Sequence, residues 1–374
     1  MENVFELDKK NVEGTYARNP VTFVKGSGSK LTDTDGKVYI DFSSGIGVNA
    51  FGASDSVWAK AVSKQATTLS HISNLYYTEP QAQLAATLTS KTGAQKVFFC
   101  NSGAEANECA IKTARKYSND KYGAGRHTIL TLNGSFHGRT MATITATGQD
   151  SFHTNFAPFL AGFDYINPEI SELKAKIEAG GVCALMLETI QGEGGVNKLP
   201  DEFLQKAQEI CKKNDVLFVI DEVQTGNGRA GKLYSFMKYG LKPDIITTAK
   251  GLGGGLPIGA CLFFERTAGV LTAGTHGSTF GGNPIACAGA LTVIKRLDEA
   301  FLAEVEAKGK LIKTILTGAK GVVEVTGDGL MVGIKCLQSA KEVATKCLQN
   351  GLIVLTAKDK VRLLPPLKYT RASA

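Results

Sequence analysis

Short apolar runs alternate with longer amphipathic stretches through the middle of the chain. The runs are four or five residues long and rich in Val, Ile, Leu and Phe, which is typical of strands buried in a sheet. The intervening stretches repeat apolar residues at three- and four-residue spacing, which predicts helices packed against that sheet. The predicted strands are 97–100, 128–132, 184–188, 216–220, 245–248 and 260–264, and the clearest predicted helices are 104–117 and 201–214.

This alternation predicts an α/β fold with a mostly parallel sheet flanked by helices. Ligands of such sheets bind at the carboxyl ends of the strands. Residues that directly follow an apolar run are therefore the first candidates for chemistry.

The two ends of the chain have a different pattern and predict a smaller α+β domain. Strand-like pieces with a turn at 33–36 precede about residue 45. After about residue 284, the pattern predicts a long helix through 303–317, a hairpin around 327–329, a helix at 340–349, and strands at 352–355 and 361–364. The expected limits are 1–45 and 285–374 for the small domain and 46–284 for the large one.

Composition narrows the function classes. The chain has 374 residues, of which 43% are hydrophobic, and a net charge of +7. No run of Lys and Arg exceeds a pair, which argues against a nucleic-acid partner, although a modest positive field favours anionic substrates. No apolar run could cross a membrane, and the N-terminus has no signal pattern. Eight cysteines without a C-x-x-C pair indicate free thiols and a cytoplasmic location. No metal site is expected.

Residues 101–105 follow a predicted strand and begin a predicted helix. Ser102 and Glu105 fit an S-x-x-E capping box. Gly103 and Ala104 would then present backbone N–H groups at the positive end of the helix, where phosphate binds well. A plain capped helix would give the same pattern.

Two charged residues follow other predicted strands. Asp221, with Glu222 beside it, ends the run at 216–220, where a buried carboxylate needs a partner. Lys250 lies between the run at 245–248 and a glycine-rich loop at 251–255. Partial desolvation there would lower the pKa of the amine and make it a better nucleophile. Taken singly, Asp221 also fits a turn cap and Lys250 an exposed loop lysine.

Together, these residues match a known pattern. From about residue 26 to about residue 366, the chain resembles the class III aminotransferases, which are fold-type I pyridoxal-phosphate enzymes. The most specific segments are NSGAEANE (101–108), SFHGRT (135–140), LETIQGEGGV (187–196), VIDEVQTGNGRAG (219–231), TTAKGLGGGLPIGA (247–260) and HGSTFGGNPIACA (276–288). The resemblance implies pyridoxal 5′-phosphate as cofactor and a seven-stranded sheet in the large domain.

The resemblance also implies residue roles. Lys250 would hold the cofactor as a Schiff base and move the reacting proton, and Asp221 would pair with the ring nitrogen. Further cofactor contacts would come from Gly103, Ala104, Phe136, Glu222, Val223, Gln224 and, from a second subunit, Thr279. Substrate would be bound by Arg139, Ser278 and Arg362, with Glu193 as a switch that covers Arg362. Glu193 could instead only close the glycine-rich turn at 192–195.

The segment SHISNLYYTEPQ (70–81) resembles family members that act on N-acetylornithine. The implied reaction transfers the δ-amino group of N-acetyl-L-ornithine to 2-oxoglutarate, a step of arginine biosynthesis, in a homodimer with shared active sites. Ornithine, succinylornithine or 4-aminobutyrate as donor, an aminomutase, and an inactive cofactor-binding protein are the alternatives.

Two departures from the family pattern are present. A Gly-His-x-His-Pro element common in the family is replaced by FGASDS at 51–56. The chain also ends soon after the PPL motif, at Ala374, so the family's final helix is expected to be missing. Its loss would expose apolar surface on the small domain and weaken the placement of Arg362.

Overall fold

The computed structural model describes residues 3–369 and begins with a helix and a small antiparallel sheet. The predicted turn at 33–36 is confirmed, because Asp33 Oδ1 accepts hydrogen bonds from the N–H groups of Asp35 (3.0 Å) and Lys37 (2.9 Å) between two strands. The elements of this part are α1 (Val4–Asn11), β1 (Phe23–Ser27), β2 (Lys30–Asp33), β3 (Val38–Asp41) and the single turn α2 (Ser44–Gly47).

The central part contains the predicted alternation of strands and helices. Its elements are α3 (Ser56–Thr68), α4 (Glu79–Thr92), β4 (Lys96–Cys100), α5 (Gly103–Tyr122), β5 (Thr128–Leu132), α6 (Met141–Ala146), β6 (Phe163–Ile166), α7 (Ile170–Glu178), β7 (Val182–Leu187), β8 (Ile190–Gln191), β9 (Asn197–Lys198), α8 (Asp201–Lys213), β10 (Leu217–Asp221), α9 (Ser235–Lys238), β11 (Ile245–Thr248) and β12 (Gly259–Phe263). Short 3₁₀ turns occupy Asp150–Phe152 and Lys250–Leu252.

Seven of these strands form one sheet in the order β4-β12-β11-β10-β7-β5-β6. Only β12 runs against its neighbours, so the predicted mostly parallel seven-stranded sheet is confirmed. Strand β10 shows why its sequence is apolar throughout. Phe218 and Ile220 join one core cluster, whereas Leu217 and Val219 join another. Both faces of the strand are therefore covered.

Strand β6 is the one member of this sheet that the pattern analysis missed. It is an edge strand with the sequence FDYI, and Asp164 and Tyr165 are only half-buried. An edge strand covered less completely needs no continuous apolar run, so its sequence carries little signal.

The C-terminal part completes both small sheets. Its elements are α10 (Pro284–Arg296), α11 (Glu299–Leu316), β13 (Val322–Asp328), β14 (Met331–Cys336), α12 (Ala340–Gln349), β15 (Leu352–Ile353), β16 (Leu355–Ala357) and β17 (Lys360–Leu363). One predicted strand was wrong: the run at 352–355 divides, because β15 pairs with β3 whereas β16 pairs with β17 in the sheet β13-β14-β17-β16.

Pairing of β15 with β3 brings the two ends of the chain together, as a small domain built from both would require. The domain limits at 45/46 and 284/285 remain predictions, and residues 1, 2 and 370–374 lie outside the described residues. The predicted absence of a final helix also concerns residues 370–374 and stays a prediction. No helix within residues 3–369 combines the length and apolar character needed to span a bilayer.

Candidate active site

A cavity of about 450 Å³ lies at the carboxyl edge of the central sheet. Strands β4, β10 and β11 end at its wall, which is where the parallel-sheet rule places ligands. Most of the predicted site residues line it: Gly103, Ala104, Phe136, Arg139, Asp221, Val223, Gln224 and Lys250.

One wall is the first turn of α5. Ser102 Oγ accepts a hydrogen bond from the Glu105 N–H (3.1 Å), as predicted, but the Glu105 carboxylate accepts from the Asn101 N–H (2.5 Å) rather than from Ser102. Because the helix begins at Gly103, the N–H groups of Gly103 and Ala104 have no acceptor within the helix. Gly103 has to be glycine here, since a Cβ would lie 2.6 Å from Val223 Cγ1.

Asp221 faces the cavity and is held from three sides. Its Oδ2 accepts hydrogen bonds from His137 Nδ1 (2.8 Å) and Asn107 Nδ2 (2.8 Å), and its Oδ1 accepts from the Val223 N–H (3.0 Å). Burial by itself would lower the pKa of His137, but the hydrogen bond and the charge of Asp221 raise that pKa above its ordinary value. The hydrogen bond from His137 thus fixes the orientation of the Asp221 carboxylate at the cavity wall.

Lys250 occupies the predicted place between β11 and the glycine-rich loop. Its φ of +45° lies in the left-handed region, a strain that clusters at functional sites. The two residues before Lys250 are held by Asn227, whose Nδ2 donates hydrogen bonds to Thr248 Oγ1 (2.9 Å) and Ala249 O (3.1 Å). Burial lowers the pKa of Lys250, although the negative charge of Asp221 opposes this shift. The lowered pKa therefore favours the neutral form of the amine, which is the nucleophile.

Glu193 and Arg362 form an ion pair beside the cavity. Arg362 Nη1 donates to Glu193 Oε1 (2.6 Å) and Nη2 donates to Oε2 (3.3 Å). Arg362 Nη1 also donates to Oε1 of Gln224, a cavity residue, at 2.9 Å. Only 3% of the Arg362 side chain is exposed. Burial raises the pKa of Glu193, but the Arg362 charge outweighs this and lowers the pKa below its ordinary value.

Arg139 lies at the rim of the cavity and is exposed. Its guanidinium stacks over the ring of Phe152 at 4.4 Å and is 5.7 Å from the ring centre of Phe136. Ser278 and Thr279 line a neighbouring cavity of about 510 Å³, and Asn101 lines both. Asn101 Nδ2 donates to Ser278 Oγ at 3.1 Å.

The structure does not bring the side chain of Glu222 to the cavity. Its carboxylate accepts hydrogen bonds from Thr225 Oγ1 (2.6 Å), Ser235 Oγ (2.7 Å) and the Phe236 N–H (2.7 Å). Side chains of successive strand residues point to opposite faces, so Glu222 turns away where Asp221 turns inward.

The cavity residues that sequence reasoning did not assign to the site include Asn107, His137 and Glu188. Glu188 carried a usable signal, because it directly follows strand β7 just as the predicted candidates follow their strands. Asn107 and His137 carried none of their own, since their function depends on contact with Asp221 across 114 and 84 residues of chain.

The donor set fits pyridoxal 5′-phosphate. Helix N–H groups suit a phosphate, a carboxylate suits a protonated ring nitrogen, and a neutral amine suits a carbonyl carbon. The half-buried Phe136 ring on the cavity wall can cover a flat heterocycle.

Comparison with known proteins identifies the protein family. Residues 13–374 match the family described as Aminotransferase class-III, and the chain belongs to this family of pyridoxal-phosphate-dependent enzymes. It is 48% identical over 369 residues to the acetylornithine aminotransferase of Haemophilus ducreyi, covering 98% of this chain and 94% of that protein.

Solved structures agree. The ornithine aminotransferase of Toxoplasma gondii superimposes with a TM-score of 0.94 at 30% identity, covering 99% of this chain and 91% of that one. The N-acetylornithine aminotransferase of Stenotrophomonas maltophilia superimposes with a TM-score of 0.85 at 33% identity, covering 99% and 95%. The predicted family, fold class and cofactor are confirmed.

Proposed function

We propose that this enzyme transfers the δ-amino group of N-acetyl-L-ornithine to 2-oxoglutarate, giving N-acetyl-L-glutamate 5-semialdehyde and L-glutamate in arginine biosynthesis. The ion pair between Glu193 and Arg362, beside Lys250, is the observation that carries the proposal. Near full-length similarity to an acetylornithine aminotransferase supports the N-acetylated donor.

The two substrates place different demands on the site. The donor's reacting amine is far from its α-carboxylate, whereas the acceptor's ketone is next to one. In this proposal, Arg362 binds the 1-carboxylate of 2-oxoglutarate, and Glu193 covers Arg362 when the long donor is bound. A cover is needed because an unpaired buried guanidinium is costly.

The distal carboxylate is assigned to Arg139. A guanidinium can bind a carboxylate through two parallel hydrogen bonds. The Phe152 ring below Arg139 holds the planar group over the cavity rim. Ser278 would contribute a hydroxyl from the neighbouring cavity.

When bound, pyridoxal 5′-phosphate supplies the carbonyl that takes up the amino group and a ring that accepts electrons. The N–H groups of Gly103 and Ala104 hold its phosphate. Asp221, oriented by His137 and Asn107, keeps the proton on the ring nitrogen. Lys250 Nζ removes a proton from the donor Cδ, and its lowered pKa favours the neutral amine that this role requires.

We infer that the active unit is a two-fold homodimer in the cytoplasm. Several large side chains are exposed, including Tyr76, Tyr77 and Phe280. Their exposure supports a protein partner on the surface that carries them. Thr279 would then reach the phosphate in the second copy. Buried free thiols, such as Cys183 and Cys261, support a reducing compartment.

A single-turnover assay tests the proposal. The holoenzyme is mixed with N-acetylornithine, ornithine, N-succinylornithine or 4-aminobutyrate, and conversion of the cofactor to its amine form is followed by absorbance. We expect N-acetylornithine to react fastest and 2-oxoglutarate to reverse the change. Ornithine is the second candidate donor, since the T. gondii ornithine aminotransferase superimposes so closely.

Faster conversion by ornithine would replace the proposed donor. Amino-group migration without 2-oxoglutarate would indicate an aminomutase and reject transamination.

A further inference from the structure

Glu188 is a buried carboxylate in the cofactor cavity to which no role has been assigned. It directly follows strand β7, which lies between β5 and β10 in the sheet. Only 4% of the residue is exposed, and it lines the same cavity as Asp221 and Lys250. The loop after β5, which carries Phe136, lies on one side of it.

Both hydrogen bonds that this carboxylate makes within residues 3–369 come from backbone N–H groups. Oε2 accepts from the Phe136 N–H at 3.0 Å, and Oε1 accepts from the Gly192 N–H at 3.3 Å. The pKa of Glu188 is raised to about 7, mainly by burial; the charge of Asp221 adds to this rise and the nearby His137 opposes it. A carboxylate is thus kept where its ionised form is disfavoured.

The two loops that Glu188 joins carry two different functions. The Phe136 ring forms part of the cavity wall. Gly192 immediately precedes Glu193, and its backbone is packed so closely that a Cβ would lie 2.1 Å from Gln224 Oε1. That same oxygen accepts the hydrogen bond from Arg362. A shift of Gly192 would therefore move both Glu193 and the partner of Arg362.

We infer that Glu188 is a positioning residue that holds Phe136 against the cofactor and Glu193 against Arg362 at the same time. The inference rests on the roles proposed above for Phe136 and Glu193. Two converging N–H donors require two acceptor atoms at one position. A glutamine offers one acceptor and would direct its NH₂ group at the other N–H, and an aspartate is too short to reach both.

The test compares Glu188→Gln and Glu188→Asp with the control Asp244→Asn. Asp244 is also buried, accepts a backbone hydrogen bond from the Phe218 N–H (2.8 Å), and has its pKa raised by burial. It lies just before β11, at the opposite edge of the sheet from the cavity. Asp244 also pairs with Arg266 (2.9 Å), so Asp244→Asn should destabilise the fold at least as much as the Glu188 variants do.

Four quantities are measured for each variant. They are the cofactor Kd from fluorescence titration of the apoprotein, the near-ultraviolet circular dichroism of the bound cofactor, the ratio of single-turnover rates for glutamate and N-acetylornithine, and Tm. We expect the Glu188 variants to weaken cofactor binding about tenfold, change the dichroism, and shift the rate ratio toward glutamate. The control should lower Tm alone.

A wild-type Kd, dichroism and rate ratio, with only the Tm loss of the control, would overturn the inference. Should the Glu188 variants not fold, hydrogen exchange of the wild-type holoenzyme decides. Slow exchange at the Phe136 and Gly192 amides is expected, and rapid exchange at both would overturn it. If the wild-type enzyme does not react with N-acetylornithine, the proposed donor is wrong. The cofactor Kd, the circular dichroism and the hydrogen exchange would still decide the role of Glu188.

Discussion

Strand β10 has a carboxylate near each end, and the surroundings of the two carboxylates differ. Asp215, two residues before the strand, accepts hydrogen bonds from Lys121 Nζ (2.8 Å), Arg266 Nη2 (2.5 Å) and Tyr117 OH (3.0 Å). Its charge is balanced by two cations. Asp221, at the other end, accepts hydrogen bonds from a histidine, an amide and a backbone N–H and has no cationic Lys or Arg partner within residues 3–369, and one side of it faces a cavity.

The contrast extends to the neighbouring strands. Asp244, before β11, pairs with Arg266 at 2.9 Å, whereas Lys250, after β11, has a strained backbone and a lowered pKa. Charges at the amino edge of the sheet are matched within the protein and stabilise the fold. Asp221 and Lys250, at the carboxyl edge, instead face a cavity that can hold a ligand, which is the usual mark of a functional edge.

The largest effect should come from Lys250→Ala. Loss of the amine removes both the covalent attachment of the cofactor and the proton carrier, so turnover should fall by at least about 10³-fold. Lys358→Ala is the matched control, since Lys358 is also a lysine with positive φ (+54°) but is exposed. Borohydride reduction and peptide mapping should find the cofactor on Lys250 in the wild type. Label on another lysine would contradict the assignment.

Asp221→Ala should have the next largest effect. Without a carboxylate at the ring nitrogen, turnover should fall by about 10²-fold or more, or about 3 kcal/mol of transition-state stabilisation. The measurement is steady-state turnover at saturating cofactor, with bound cofactor checked by absorbance. Near-normal turnover with the cofactor in place would show that catalysis at the carboxyl edge does not depend on the charge of Asp221.

Glu193→Ala should alter selectivity rather than abolish activity. With Arg362 left uncovered, the half-reaction of N-acetylornithine should slow and that of glutamate should quicken, each by about tenfold, or about 1.4 kcal/mol. Both rates come from single-turnover absorbance. Equal changes in the two half-reactions, or none, would support the alternative in which Glu193 only closes a turn.

Asp215→Asn should cost stability while leaving turnover unchanged. Burial raises the pKa of Asp215, but hydrogen bonds from Lys121 and Tyr122 outweigh this and hold that pKa well below its usual range. A lowered folded-state pKa stabilises the protein above the ordinary Asp value and stops doing so as pH falls through the folded value. Unfolding by urea should show a loss of about 1 kcal/mol at pH 7.

That difference should shrink below about pH 4 and vanish in stronger acid. A loss independent of pH would mean that packing, and not charge, explains the stabilisation by Asp215. Reduced turnover at pH 7 would contradict the view that charges at the amino edge stabilise the fold and do not take part in catalysis.

The sequence by itself determined the central strands and the residues that end them. Apolar runs such as β10 are readable because both faces of a central strand are buried, which leaves little choice of side chain. The start of α5 was equally readable, since the cap Ser102 acts within one turn of chain. Placement of Asp221 and Lys250 at one edge then follows from strand direction alone.

Only the tertiary structure decided which neighbours those residues meet. Glu193 and Arg362 are 169 residues apart and come together because β17 packs beside the loop after β8. Glu222 and Asp221 are adjacent in sequence, yet one carboxylate is bound by a buried turn and the other faces the cavity. A local pattern records periodicity and burial, but which face of a strand lines a cavity depends on contacts between segments distant in the chain.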